Sequence, residues 1–257
     1  EYGTKFNKRS WTRHGEQVVE NIFQYFDDKD DRILPHIIGN DSESRVTDIT
    51  GFLSDYSELA LACFWLYQNT LKQKWISRFM TLSTTITDKF WNDDNGVFYD
   101  TFQTENLYMI PNDTLDTALY SGPSSATLVT LYMYSLTGGT KLINIVDRSI
   151  ANNSNNMMNY PSASGRWLST VLTAEHLQQI VLVGNRTDEK LQQMIKIANN
   201  GFYPGRIIVQ VNKPVQWLPI TKNKVNINGK PTAYICKNFV CESPVTSIVE
   251  FETLING

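Results

Sequence analysis

The sequence predicts a mainly α fold, a partial α/α toroid of about three αα-hairpins, followed by a small α/β section. Three observations predict it. First, the stretch from Thr47 to Phe102 carries two apolar stripes at helical spacing. One runs Phe52, Tyr56, Leu59, Ala60, Cys63, Phe64 and Tyr67; the next runs Trp75, Phe79, Leu82, Ile86 and Phe90. Second, the polar link from Asn69 to Lys72 is too short to join anything but antiparallel neighbours. Third, short apolar runs stopped by glycine replace the helical period after Leu177. Within the hairpin, the first helix is apolar nearly all round, as a helix buried between others must be. The second keeps a wet face of Lys74, Arg78, Thr84, Asp88 and Lys89. A buried helix backed by an amphipathic one is the repeating unit of an α/α toroid.

Taken in order, Val18, Val19, Ile22, Phe23 and Phe26 predict a short amphipathic helix from Glu16 to Phe26. The charged run from Asp27 to Arg32 ends it. Residues 33–38 read as extended and residues 40–45 as a polar loop. After the hairpin, Asn92 to Gly96 is a tight turn, because Asn and Gly tolerate left-handed backbone angles. Val97 to Phe102 is a strand candidate. Ser124 or Ser125 caps a third helix that Gly138 and Gly139 stop. Thr140 to Ile150 is its partner, and Asn152 to Asn159 reads as a loop. Pro161 or Ser162 opens a helix ending near His176. Beyond it, Gln179 to Gly184 and Arg206 to Val211 are strands joined by a helix from Thr187 to Asn199, a parallel unit. Thr232 to Cys236 is a further strand, and Ser247 to Leu254 a final helix. The domains are therefore expected to be 1–177, helical, and 178–257, α/β.

The bulk properties narrow the function. The chain has 257 residues, enough for a sizeable core, with 12 Phe, 12 Tyr and 6 Trp to fill it. A formal charge of −3 gives no electrostatic reason to bind nucleic acid or an anionic membrane. No apolar run approaches the roughly 20 residues of a membrane span. Three scattered histidines give no zinc-ligand spacing, there is no phosphate loop and no Gly-x-Ser-x-Gly elbow, and no cofactor is expected. The turn from Gly184 to Thr187 offers backbone amides at a helix start, but a tight βα link explains it as well. Three cysteines suit a reducing compartment, and residues 1–6 carry no signal-peptide core, so a cytoplasmic location is expected. The chain begins without methionine, as a piece of a longer chain would. Cys236 and Cys241 lie about 16 Å apart if the strand is extended. A disulfide permits about 7 Å. A turn at Lys237 and Asn238 would allow a bridge; two small buried thiols are the alternative.

Three motifs carry a family resemblance. The tail from Pro231 to Thr246, Leu53-Ser-Asp-Tyr-Ser57, and Asp116-Thr-Ala-Leu-Tyr-Ser-Gly-Pro-Ser124 stand in order along nearly the whole chain. They resemble the closing segment, the Leu-Asp-Asp-Tyr-Ala motif and the Asp-x-Ala-x-Pro-Ser-Gly-Asn-Ser motif of the thioredoxin-domain-containing YyaL / spermatogenesis-associated protein 20 family. The resemblance implies an N-terminal thioredoxin-like domain before an (α/α)6 toroid like those of six-hairpin glycosidases and N-acylglucosamine 2-epimerases. This chain has no Trp-Cys-x-x-Cys motif and would match the C-terminal part. Its six or so helices would form roughly half a twelve-helix ring. The open flanks should then meet a missing N-terminal segment or another chain. Ser54, Tyr120 and Pro123 depart from the motifs.

The same resemblance points to carbohydrate chemistry, which needs a proton donor and acceptor facing one substrate. Asp55 and Asp116 are the candidate catalytic carboxylates, with Tyr56, Ser121 and Ser124 as substrate-binding groups on one concave surface. As plain structure, Asp55 is an acid favoured in a first helical turn, Asp116 a turn former and Tyr56 a core residue. A non-catalytic binding or scaffolding module with a decayed site is the alternative function.

Overall fold

The structure is a computed structural model that describes residues 8–27, 33–38, 49–102, 111–201 and 203–256. It is mainly α with a small sheet region, as expected. The chain forms two compact units, Glu1–Leu131 with Lys141–Thr170, and Tyr132–Thr140 with Val171–Gly257. The expected loop over 40–45, the start of the hairpin stretch at Thr47 and the charged residues 28–32 lie outside the described residues.

In the first unit, α1 spans Arg9–Asp27, α2 Leu53–Thr70 and α3 Gln73–Lys89. The apolar surround of α2 does what its composition demands: Leu53, Tyr56, Ala60, Cys63, Phe64 and Tyr67 are all buried. Burial pushes the Cys63 thiol up to about 12. Leu71 adopts a left-handed conformation, with φ 51°, and its N–H donates to Tyr67 O at 2.6 Å, which turns the chain into α3. Residues 33–38 pair locally, with a bridge between Pro35 and Thr50. Two short strands, β1 (Trp91–Asn92) and β2 (Val97–Phe98), form a hairpin around the expected turn, where Gly96 has φ +70°.

Charge links α1 to α3. Glu16 accepts from Lys72 Nζ at 2.6 Å and from Trp75 Nε1 at 3.0 Å. Glu20 accepts from Arg78 at 2.7 Å and from Lys74. The Arg78 guanidinium also lies 4.0 Å from the Phe23 ring centroid. Partial burial raises both carboxyls, but the hydrogen bonds and lysine and arginine charges outweigh it, and both end below the ordinary value. A depressed carboxylate stabilises the fold above its unfolded pKa, and that contribution is lost as pH falls through the folded pKa. The protection of α1 amides against hydrogen exchange should therefore weaken as pH drops below about 4.5. Doubly substituting Glu16→Gln and Glu20→Gln should flatten that dependence. An unchanged pH profile in the double variant would contradict the link.

The helix expected from Glu16 starts seven residues earlier, at Arg9, and two helices further along also differ from expectation. The first, α4, spans Gly122–Thr137, so Ser121 precedes it rather than Ser124 or Ser125. The second, α5, spans Thr140–Asn159 and absorbs the Asn-rich segment read as a loop. Asparagine is a poor helix former. Here, however, its amides find carbonyls: Asn153 bonds Ser149 O at 3.0 Å, and Asn152 bonds Gly96 O at 2.8 Å. A 3-10 turn at Pro161–Ala163 leads into α6, Gly165–Glu175.

The second unit is the α/β section. β3 (Gln178–Val183), α7 (Glu189–Ala198) and β4 (Arg206–Val211) form the expected strand–helix–strand unit, with β3 and β4 parallel. Asp188 caps α7 by accepting from Lys190 and Leu191 N–H. β5 (Thr232–Lys237) adds antiparallel on the other side of β3, and β6 (Val240–Cys241) pairs with β5. The order is β4-β3-β5-β6. All six residues of β3 are buried, which is why that run lacks alternation. Arg206 donates to Gln178 Oε1 at 2.7 Å and to Ile255 O at 2.5 Å, near the end of α8 (Ile248–Asn256). A cation there complements the helix dipole. Asn238 and Phe239, with φ 48° and 66°, make the β5–β6 turn, one residue beyond the expected position. That turn sets Cys236 opposite Cys241, and the two form a disulfide.

Candidate functional site

The first turns of α2 and α4 approach each other closely. Leu53 N–H donates to Asp100 O at 2.9 Å. A methyl group at Gly122 would lie 3.1 Å from Asp100 Oδ1 and 3.2 Å from Leu53 Cβ, tighter than side chains normally pack. Burial raises the Asp100 carboxyl, opposed by a hydrogen bond from Asp113 N–H at 2.9 Å.

Asp116 sits beside this junction and is buried. Its Oδ1 accepts from Ser121 N–H at 2.9 Å and Ser124 Oγ at 2.8 Å. Its Oδ2 accepts from Arg166 N–H at 2.7 Å. Its own N–H donates to Ala163 O at 2.8 Å. One carboxylate thus ties the starts of α4 and α6 together. Ser121 and Ser124 are buried beside it, the Ser121 hydroxyl accepting from Ser124 N–H at 3.3 Å.

Asp55 is partly exposed, and its Oδ2 accepts from Phe52 N–H and meets His36 Nδ1, each at 2.7 Å. Asp55 and Asp116 share no hydrogen-bond partner among these contacts. Tyr56 points into the core: it is 0% exposed, and its hydroxyl accepts from Leu34 N–H at 2.7 Å. Burial pushes that hydroxyl up to about 12. Tyr56 is thus a core residue, its ring packed edge-on against Phe90.

Sequence reasoning missed the group that faces outward. Glu58 lies one helical turn after Asp55 on α2, with its side chain 49% exposed. Its Oε1 accepts from Ser125 Oγ at 2.6 Å, and Arg166 NH2 lies 3.5 Å away. The Arg166 guanidinium stacks 3.7 Å from the ring centroid of Tyr120, which is exposed, and its Nε is buried with no hydrogen-bond partner. A signal for Glu58 was present: after Asp55 it is the one charged residue of α2. Arg166 has no such local signal. Elsewhere, the Gly184 to Thr187 turn closes on itself, with Asn185 Oδ1 accepting from Thr187 N–H and hydroxyl. Among the described residues no group of three or more His, Cys, Asp or Glu is placed to hold a metal ion, and no helix is long and apolar enough to cross a membrane.

Fold and site define a mainly helical protein with a small α/β section and a carboxylate, guanidinium and aromatic ring gathered where helices begin. No family model matches the chain. It is similar to an uncharacterized protein of Caenorhabditis elegans, 26% identical over 250 residues, covering 94% of this chain and 34% of that protein. It is also similar to spermatogenesis-associated protein 20 of Homo sapiens, 22% identical over 214 residues, covering 80% of this chain and 27% of that protein. The resemblance carried by the three motifs is thus found as weak homology along most of the chain. The chain spans about a third of the length of these curated relatives, or somewhat less.

Proposed function

We propose that the surface at the first turns of α2, α4 and α6 binds a sugar or related polyol, with Glu58, Arg166, Ser125 and Tyr120 as its contacts. The carrying observation is the half-exposed Glu58 carboxylate, oriented by Ser125 and Arg166 beside an exposed tyrosine ring. A carboxylate and a guanidinium match paired hydroxyls, and an aromatic face packs against the apolar side of a sugar ring. Asp55 borders this surface one turn away.

Binding without turnover is the form of this reading that the hydrogen bonds favour. Asp116 spends both oxygens on serine and backbone donors, so it is poorly placed to exchange a proton with a ligand. A non-catalytic module with a decayed site draws on the same observation. Saturation-transfer NMR and calorimetry against a panel of mono- and disaccharides provide the test. Saturable binding is expected, weakened about tenfold by Glu58→Gln through loss of a charge-assisted hydrogen bond. Tyr120→Ala should weaken it comparably. No saturable binding by the unmodified chain, or affinity unchanged in both variants, would overturn the reading.

A further inference from the structure

We propose that the Cys236–Cys241 bridge is a thiol–disulfide exchange site, opened by attack of an external dithiol on Cys241 with Cys236 as the leaving thiolate. The two cysteines differ in exposure: Cys241 is exposed, whereas Cys236 is 2% exposed. They line one cavity of about 110 Å³ together with Lys224, Gln179, Thr137 and Phe239.

The lining of that cavity suits an anion. Gln179 is the cross-strand partner of Cys236, so their side chains share one face of the sheet. Gln179 is fully buried, and its Nε2 has no hydrogen-bond partner. Leaving a buried donor unpaired is costly, and a thiolate on the neighbouring residue would satisfy it. Lys224 lines the same cavity, its Nζ 5.8 Å from the Tyr234 ring centroid, and burial lowers its pKa, so its ammonium is under-solvated. A cation and a hydrogen-bond donor lower a thiol pKa, and a lower leaving-group pKa speeds exchange.

The chemistry balances. A thiolate of the dithiol forms a bond to Cys241 Sγ as the Cys236–Cys241 bond breaks, and the electron pair leaves on Cys236 Sγ. The second thiolate of the dithiol then attacks its own sulfur in the mixed disulfide and releases Cys241 as a thiolate. The dithiol loses two electrons and two protons; the bridge gains the electrons, and its thiolates accept protons from water or remain charged. The hairpin does not depend on the bridge alone. Phe239 N–H reaches Gln179 Oε1 at 3.5 Å, and the Phe239 ring packs edge-on against Tyr134 at 5.1 Å.

The test uses the intact folded chain. Alkylation in denaturant without reductant should find one thiol, Cys63. After native treatment with millimolar dithiothreitol it should find three, with the far-ultraviolet circular dichroism unchanged. With reduced glutathione as the monothiol and an acid quench, peptide mapping should place the adduct on Cys241. Lys224→Met and Gln179→Leu should each slow opening on the order of threefold or more. A bridge that opens only on global unfolding, an adduct on Cys236, or rates unchanged in both variants would overturn the proposal. The adduct mapping needs no substitution, so it decides even if a variant fails to fold.

Discussion

Trp75→Ala should destabilise the helical unit by about 4 kcal/mol, the usual cost of emptying a large aromatic site in a core. Trp75 is 0% exposed on α3 and faces α1 through its indole N–H, which donates to Glu16 at 3.0 Å. Removing the ring leaves a cavity and also strips a hydrogen bond from a carboxylate that Lys72 and Trp75 hold together. Trp75→Phe separates these effects. It keeps most of the buried area and loses the Glu16 bond, so it should cost about 1–2 kcal/mol. Thermal unfolding followed by circular dichroism should show the Ala variant melting roughly 8–16 °C lower, at about 2–4 °C per kcal/mol for a domain of this size. Equal losses in both variants would mean that the hydrogen bond, not the packing, holds α1 against α3.

The same pair of helices shows what could be read from the residues alone. An apolar period of 3.6, a short link and a wet outer face are local properties, and they correctly gave the α2–α3 hairpin. The buried strand β3 was also legible, because four consecutive apolar residues between polar ones and a glycine leave little alternative. The end of α5 was not. Its Asn-rich turns are helical because Asn152 reaches Gly96 and Asn156 reaches Thr114, partners far away in sequence. Helix propensity cannot see such contacts.

The site divides in the same way. Asp55 and Asp116 stood out as acids at the starts of apolar helices, and both are found in first-turn or loop positions with capping roles. Their environments depend on long-range partners, however. Ser125 and Glu58 are 67 residues apart, and Asp116 and Arg166 are 50 apart. No local pattern announces that an arginine on α6 will lie over Tyr120. Tyr56 failed as a surface residue for a related reason: its neighbours Leu34 and Phe90, from different segments, close over it.

Asp116→Ala should cost about 3–5 kcal/mol and should also loosen the proposed ligand surface. Three donors, Ser121 N–H, Ser124 Oγ and Arg166 N–H, lose a charged acceptor together. Hydrogen bonds to charged groups contribute roughly 1.5–3 kcal/mol each, though members of one network do not add fully. Asp116→Asn should be milder, about 2 kcal/mol, because one carbonyl oxygen still accepts while the amide nitrogen faces a donor. The functional consequence follows from the chain order. Tyr120 lies between Asp116 and Ser121, and the backbone of Arg166 is anchored to Asp116 directly. Releasing that anchor frees both the aromatic platform and the guanidinium, and it is the guanidinium that helps orient Glu58. Asp116→Asn should therefore weaken any sugar binding even at temperatures where the variant is fully folded, whereas Trp75→Phe should not. Calorimetric titration of the two variants well below their melting temperatures distinguishes the cases. Undiminished binding by a folded Asp116→Asn would show that the surface holds its shape without this carboxylate.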